Sequence, residues 1–214
     1  MRSCRGSTGL VSRPSWLWFD GYRVIEKLAP SDRVQNGPFD SSELNLASGF
    51  IDFGALRMAP TPGVGIKIEV EEATGKVVAI TIDVADSTLQ VSVFSASKLA
   101  GLWSEVLSQL ETSITADGGS VLPYTGQLGR GIDTRVSQQD GSSRRIRFIG
   151  VDGPRWFLRG SITGAALEDL VANEQIETVF RSIVVHRGDQ AMPPREPLEL
   201  LVPAGVIAPP RTVS

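Results

Sequence analysis

Seven arginines, Arg130, Arg135, Arg144, Arg145, Arg147, Arg155 and Arg159, stand between residues 130 and 160 against three aspartates, Asp133, Asp140 and Asp152. This stretch therefore carries a local excess of four positive charges in a chain whose net charge is −3. Guanidinium groups held on one face beside an aromatic ring can bind phosphate and stack on bases. Arg145, Arg147, Arg155, Phe157 and Arg159 are accordingly the candidate binding set. The opposing reading is an ordinary solvated sheet face, or pairing with Glu69, Glu71 and Glu72. It is the preferred one, because mixed charges on exposed faces are usual and isolated surface pairs contribute little.

Other chemistries find less support. Asp152 precedes Gly153, and Asp-Gly is common turn chemistry before it is a catalytic carboxylate. His186 is the only histidine and Cys4 the only cysteine, so an intrachain disulfide and a Cys- or His-rich metal site within one chain are excluded. No G-x-S-x-G elbow accompanies His186, and Gly126, Gly129 and Gly131 complete neither a G-x-G-x-x-G nor a P-loop. No catalytic residue, metal or other cofactor is expected. No window approaches the roughly 18 apolar residues of a membrane span. SWLWF at 15–19 runs straight into Asp20, which leaves no signal-peptide core. A chain that is not exported and carries one cysteine fits a reducing cytoplasm.

The elements that would position these residues follow from periodicity. Residues 1–50, broken by glycine and proline, read as a flexible leader containing the aromatic cluster Trp16, Trp18 and Phe19, with a short helix over 42–46. IDFGALRM at 51–58 reads as a brief strand. Segments 65–72, 76–84 and 88–96 alternate apolar with polar residues and predict an antiparallel meander. Over 95–119 the period changes to that of a helix, with a stripe of Leu99, Leu102, Trp103, Val106, Leu110 and Ile114. Ser97 reads as its cap, Gly118-Gly119 as its stop and Trp103 as core.

Strands then resume at 119–128, 131–139, 144–151 and 155–162. Asp152-Gly153 turns the last pair, and Trp156, Leu158 and Ile162 face away from Arg155, Phe157 and Arg159. Thr163 caps a helix near 164–172, Ile176, Val179, Phe180 and Ile183 mark helix over 174–183, and 183–188 is a final strand. Six prolines keep 191–214 an extended tail, laid on the domain by Leu198, Leu200 and Val202. The sum is an α+β fold: an antiparallel β-sheet of two strand blocks covered by helices, two layers in a single domain over 51–190.

GPFDSSE (37–43), DFGALRM (52–58), VDGPRWFLRG (151–160), VVHRG (184–188) and MPPREPLELLVP (192–203) together resemble an actinobacterial family of uncharacterised proteins carrying a domain of unknown function. The resemblance runs from about Gly37 to Pro203 and implies a cytoplasmic bacterial setting without supplying catalytic residues; the first 36 residues fall outside it and are expected to be dispensable. The resulting expectation is a non-enzymatic binding or interaction module with a protein partner, using a sheet face or the 192–203 tail. Nucleic-acid binding by an arginine-rich sheet face is the alternative, and an enzyme using Asp152, Arg155 or His186 is the third reading.

Overall fold

The computed structural model describes residues 25–44, 49–71, 73–138 and 141–203. Cys4, Trp16, Trp18, Phe19, Asp140 and the last two residues of the 42–46 segment, Asn45 and Leu46, lie outside them. Strands β4 (Val64–Val70), β5 (Val77–Val84) and β6 (Ser87–Ser95) form the expected antiparallel meander. Ile66, Ile68, Ile80, Ile82, Leu89 and Val91 join the main core. Because side chains alternate across a strand, Lys67, Glu69, Thr81, Asp83 and Gln90 point to the opposite face.

After β6 the chain crosses that second face as helix α2 (Trp103–Ala116) and enters the far edge of the same sheet. It returns through β7 (Ser120–Gly126), β8 (Gly129–Ser137), β9 (Ser143–Asp152) and β10 (Trp156–Gly164). β10 then pairs antiparallel with β6, giving the order β4-β5-β6-β10-β9-β8-β7. The two strand blocks are thus one sheet whose seam is the central strand β10.

The alternation along β10 divides two cores. Trp156, Leu158 and Ile162 belong to the larger one with Ile176, Val179 and Phe180 of helix α3 (Leu170–Arg181). Phe157 belongs to the smaller one, under Trp103, Leu107 and Ile114 of α2. Trp103 is fully buried, as expected, and its Nε1 donates to the Arg130 carbonyl at 2.7 Å. Room for its indole comes from Gly150, where a β-carbon would lie 2.5 Å from the ring of Trp103 and 2.8 Å from that of Phe157.

Helix α2 begins later than its periodicity implies. Ser97 Oγ accepts from Leu99 N at 3.1 Å and Ala100 N at 3.3 Å, so it caps the preceding turn, and Leu99 is exposed. The first amides of α2 are instead capped from across the sheet by Asp152: its Oδ1 accepts from Leu102 N at 2.8 Å and Trp103 N at 3.2 Å. A carboxylate there satisfies orphan donors and opposes the positive end of the helix dipole. At the other end the chain leaves the helix through Gly118 at φ 78°, and Gly119 N donates to Ile114 O at 2.8 Å. The cap of α3 is likewise Asp169 rather than Thr163, because β10 extends to Gly164 and keeps Thr163 in the ladder opposite Thr88.

A second, four-stranded sheet gathers the brief strand expected at 51–58, here split in two, and the final strand expected at 183–188; their pairing with each other and with residues 39–40 is not foreseen by the sequence reading. It orders β1 (Phe39–Asp40), β11 (Val184–Val185), β3 (Leu56–Met58) and β2 (Ile51–Asp52), with β1 parallel to β11. Segments of two or three residues are too short to show a period. Residues 25–44, expected to be leader, are built into the domain: helix α1 (Arg33–Asn36) precedes β1, and Leu28 packs under α2. Over the described residues 191–203 the tail is extended, with Leu198 and Leu200 buried, while Val202 remains 39% exposed.

Replacing Asp152 by alanine removes the acceptor from two helix amides and from Leu28 N, which donates to Oδ2 at 2.9 Å. The expected loss is about 3 kcal/mol or more, read from denaturant unfolding. A loss below about 0.5 kcal/mol, the scale of an ordinary surface change, would show that the cap is not structural.

Candidate functional site

The five candidate residues do not share a face. On β9, Arg145 and Arg147 project toward α3. Arg145 is paired with Glu168, and Arg147 is buried, with Nε and Nη2 on Asp133 at 2.6 and 2.9 Å and Nη1 on Asn173 Oδ1 at 2.8 Å. The Arg147 guanidinium also lies 3.8 Å from the Tyr124 ring centre. Burial works against its charge, but Asp133, followed by Tyr124 and Glu177, outweighs burial and raises its pKa. These partners are not the acids named from sequence: Glu69 accepts from Thr81 and Gln90, Glu71 accepts from Thr74, and Glu72 lies outside the described residues.

Arg155 donates to the Gly188 carbonyl at 2.8 Å. Phe157 is only 1% exposed and is stacked between Trp103 (ring centres 5.6 Å apart) and Phe94 (5.9 Å). An arginine face with an exposed aromatic is therefore not formed. The alternation of β9 puts Arg145 and Arg147 on the opposite side of the sheet from Phe157 and Arg159.

The rest of VDGPRWFLRG is structural. Asp152 joins three segments, and Trp156 Nε1 donates to Asp40 Oδ2 at 2.9 Å beneath the buried Arg33, whose guanidinium lies 5.8 Å from the indole. Burial of Asp40 opposes its ionisation, but hydrogen bonds from Ser42 and Trp156, with the charge of Arg33, outweigh it and hold its pKa below the ordinary value. His186 is exposed, its Nδ1 3.0 Å from Ser41 Oγ. Asp152 and Arg155 are each committed to main-chain partners rather than to a common site.

Arg159 alone of the five faces open space with its charge uncommitted. It lies in a groove of about 350 Å³ between α2 and strands β6 and β10, walled by Phe94, Leu102, Val106, Leu110 and Phe157. Its guanidinium sits 5.6 Å from the Phe94 ring centre, and no hydrogen bond or ion pair to it is present among the described residues. Burial lowers its pKa with no acid to compensate, yet a guanidinium starts so high that it stays charged. Arg195, at the rim, is by contrast paired with Glu105. A second hollow of about 860 Å³, bounded by Val77, Val78 and the tail at 197–202, meets the groove at Phe94 and Arg159.

Phe94 and Arg195 were not singled out by sequence reading. Leu89, Val91 and Val93 take the core face of β6, so Phe94 follows Gln90 and Ser92 on its polar face. A large aromatic on the polar side of an alternating strand is the signal that could have found it. No local signal marks Arg195, which reaches the groove only because the tail pairs with the end of β6 through Arg195 N to Ser95 O at 2.8 Å.

Fold and site together define an α+β single domain carrying an apolar groove with, among the described residues, one unpaired cation. The chain belongs to the family described as "Protein of unknown function (DUF3710)", which it matches over residues 37–208. No curated protein matches it in sequence. Among solved structures it is similar to the solution structure of cyanobacterial PsbP (CyanoP) from Synechocystis sp. PCC 6803, at 12% identity and a TM-score of 0.38, over 67% of this chain and 96% of that one. No helix of the described residues is long and apolar enough to cross a membrane.

Because the pKa of Asp40 is depressed in the fold, its charge contributes stability above its unfolded pKa, and that contribution fades as pH falls through the lower folded value. Asp40→Asn is expected to cost no more than about 1 kcal/mol at pH 7, since solvent screens a half-buried carboxylate. The difference from wild type should shrink in denaturant unfolding below about pH 4, and a pH-independent difference would contradict this account.

Proposed function

We propose that this chain is a non-enzymatic binding module for a protein partner, and that the groove between α2 and the sheet is its contact surface. The observation that carries this reading is Arg159: a partly desolvated cation, without an ion-pair or hydrogen-bond partner among the described residues, at the junction of two hollows. Withdrawing a charge from water without pairing it costs free energy, and folds tend to retain such local conflicts where function needs them. Apolar walls around one polar anchor are also the usual make-up of a recognition site.

The nucleic-acid reading has less behind it. It needs several uncommitted cations on one face, whereas Arg145 and Arg147 are spent on Glu168 and Asp133 across the sheet from Arg159. A cytoplasmic location belongs to the same proposal and rests on the single cysteine.

The test is a photo-crosslinking residue placed at the exposed rim position Gln109, compared with the same residue at Glu174, exposed on α3. In the cells that make the protein, position 109 is expected to yield a discrete crosslinked species that position 174 does not. Ser113→Trp, which obstructs the groove from an exposed position, should reduce that species roughly tenfold while changing stability by no more than about 0.5 kcal/mol. Equal crosslinking at both positions, or insensitivity to Ser113→Trp, would overturn the assignment.

A further inference from the structure

We infer that the groove recognises one acidic side chain set among large apolar side chains in an extended segment of the partner; this rests on the binding role proposed above and specifies its chemistry. The charge count is the first ground. Arg195 is neutralised by Glu105, so among the described residues Arg159 is the one cation lining the groove whose charge is uncommitted. A single guanidinium, stacked on Phe94 and partly withdrawn from water, matches a single carboxylate, which it can grip through two parallel hydrogen bonds. A nucleic-acid backbone, with a charge at every phosphate, requires several such groups in a row.

The shape is the second ground. Apolar side chains stand on both sides of the cation: Leu102, Val106 and Leu110 of α2 on one, and Val77, Val78, Leu200, Leu201 and Val202 on the other, where Glu71, Lys76 and Glu199 also line the hollow. Val78, Leu201 and Val202 are 48%, 51% and 39% exposed, so the second hollow presents aliphatic surface that no described residue covers. Two adjoining open hollows suit a length of polypeptide with apolar side chains either side of its acid, whereas a small ligand is usually held in one enclosed pocket.

Residues 195–198 already occupy the backbone positions beside the end of β6, through Ser95 N to Glu196 O at 2.8 Å and Leu198 N to Val93 O at 3.0 Å. The partner is therefore held by side chains in the groove rather than by adding a strand at that edge.

The test is selection of a phage-displayed library of random heptapeptides on the full chain, in parallel on Arg159→Gln and Arg159→Lys. The wild type is expected to enrich peptides with Asp or Glu between large apolar residues. For the best of them, made synthetically with a fluorescent label, replacing the acid by its amide should weaken binding roughly tenfold or more. Arg159→Gln should abolish that difference, and Arg159→Lys should retain part of it. Thermal unfolding of each variant separates loss of recognition from loss of fold.

An enriched consensus without an acid, an unchanged consensus on Arg159→Gln, or no consensus would each overturn the inference. Decanoate binding at the groove without peptide enrichment would reassign it to small amphiphiles, with the same effect. Failure here leaves crosslinking at position 109 and its loss in Ser113→Trp intact, so the broader binding role and its ligand chemistry fall separately.

Discussion

The buried carboxylate of Asp152 is the constraint on which the rest of the molecule depends. It ends β9, receives the first amides of α2, and accepts from Leu28 N while its own amide donates to Leu28 O. Gly101 admits this convergence, because a β-carbon there would lie 2.5 Å from Glu26 O and 2.7 Å from Asp152 Oδ2. One side chain thus fixes where the helix starts, how it lies on the sheet and where residues 25–28 dock. A net hydrogen bond contributes only about 1 kcal/mol, but stranding several buried donors at once costs much more.

From that anchor the groove follows. With its N-terminus held over the β9–β10 turn, α2 covers β7, β8 and β9 and lays Trp103 into the space above Gly150. Trp103, Phe157 and Phe94 then stack in sequence toward the uncovered half of the face, and Arg159 closes the series over Phe94. That half, which no described helix covers, is polar, with Thr81 and Gln90 both donating to the Glu69 carboxylate. Helix and polar surface leave between them an apolar strip, and Arg159 stands at its edge.

Much of this was legible in the chain. The alternating runs located β4 to β6 and β8 to β10, the three- and four-residue spacing of Trp103, Val106, Leu110 and Ile114 located α2, and the two faces of β10 were separated correctly. What periodicity cannot reveal is pairing at a distance. Ser97 has the right residue type and spacing for a cap, yet the helix is capped by Asp152 from another strand. The arginines alternate properly on each strand, but which faces coincide depends on the register of β9 against β10, Arg159 opposite Gly150. Sequence therefore offered five candidates, and only folding separated Arg159, with its uncommitted charge, from those bound within the fold.

The central place of β10 also bears on how the chain acquires its structure. Ser95 pairs with Trp156, so the seam of the sheet closes only after α2, β7, β8 and β9 have been traversed. Such long-range closure is paid for in chain entropy before its contacts are gained, which slows folding. Until it occurs, β6 is an unpaired edge bearing Leu89, Val91 and Val93, the kind of strand that seeks other partners. The strand that supplies Arg159 to the groove is thus also the one whose arrival closes the open edge of β6.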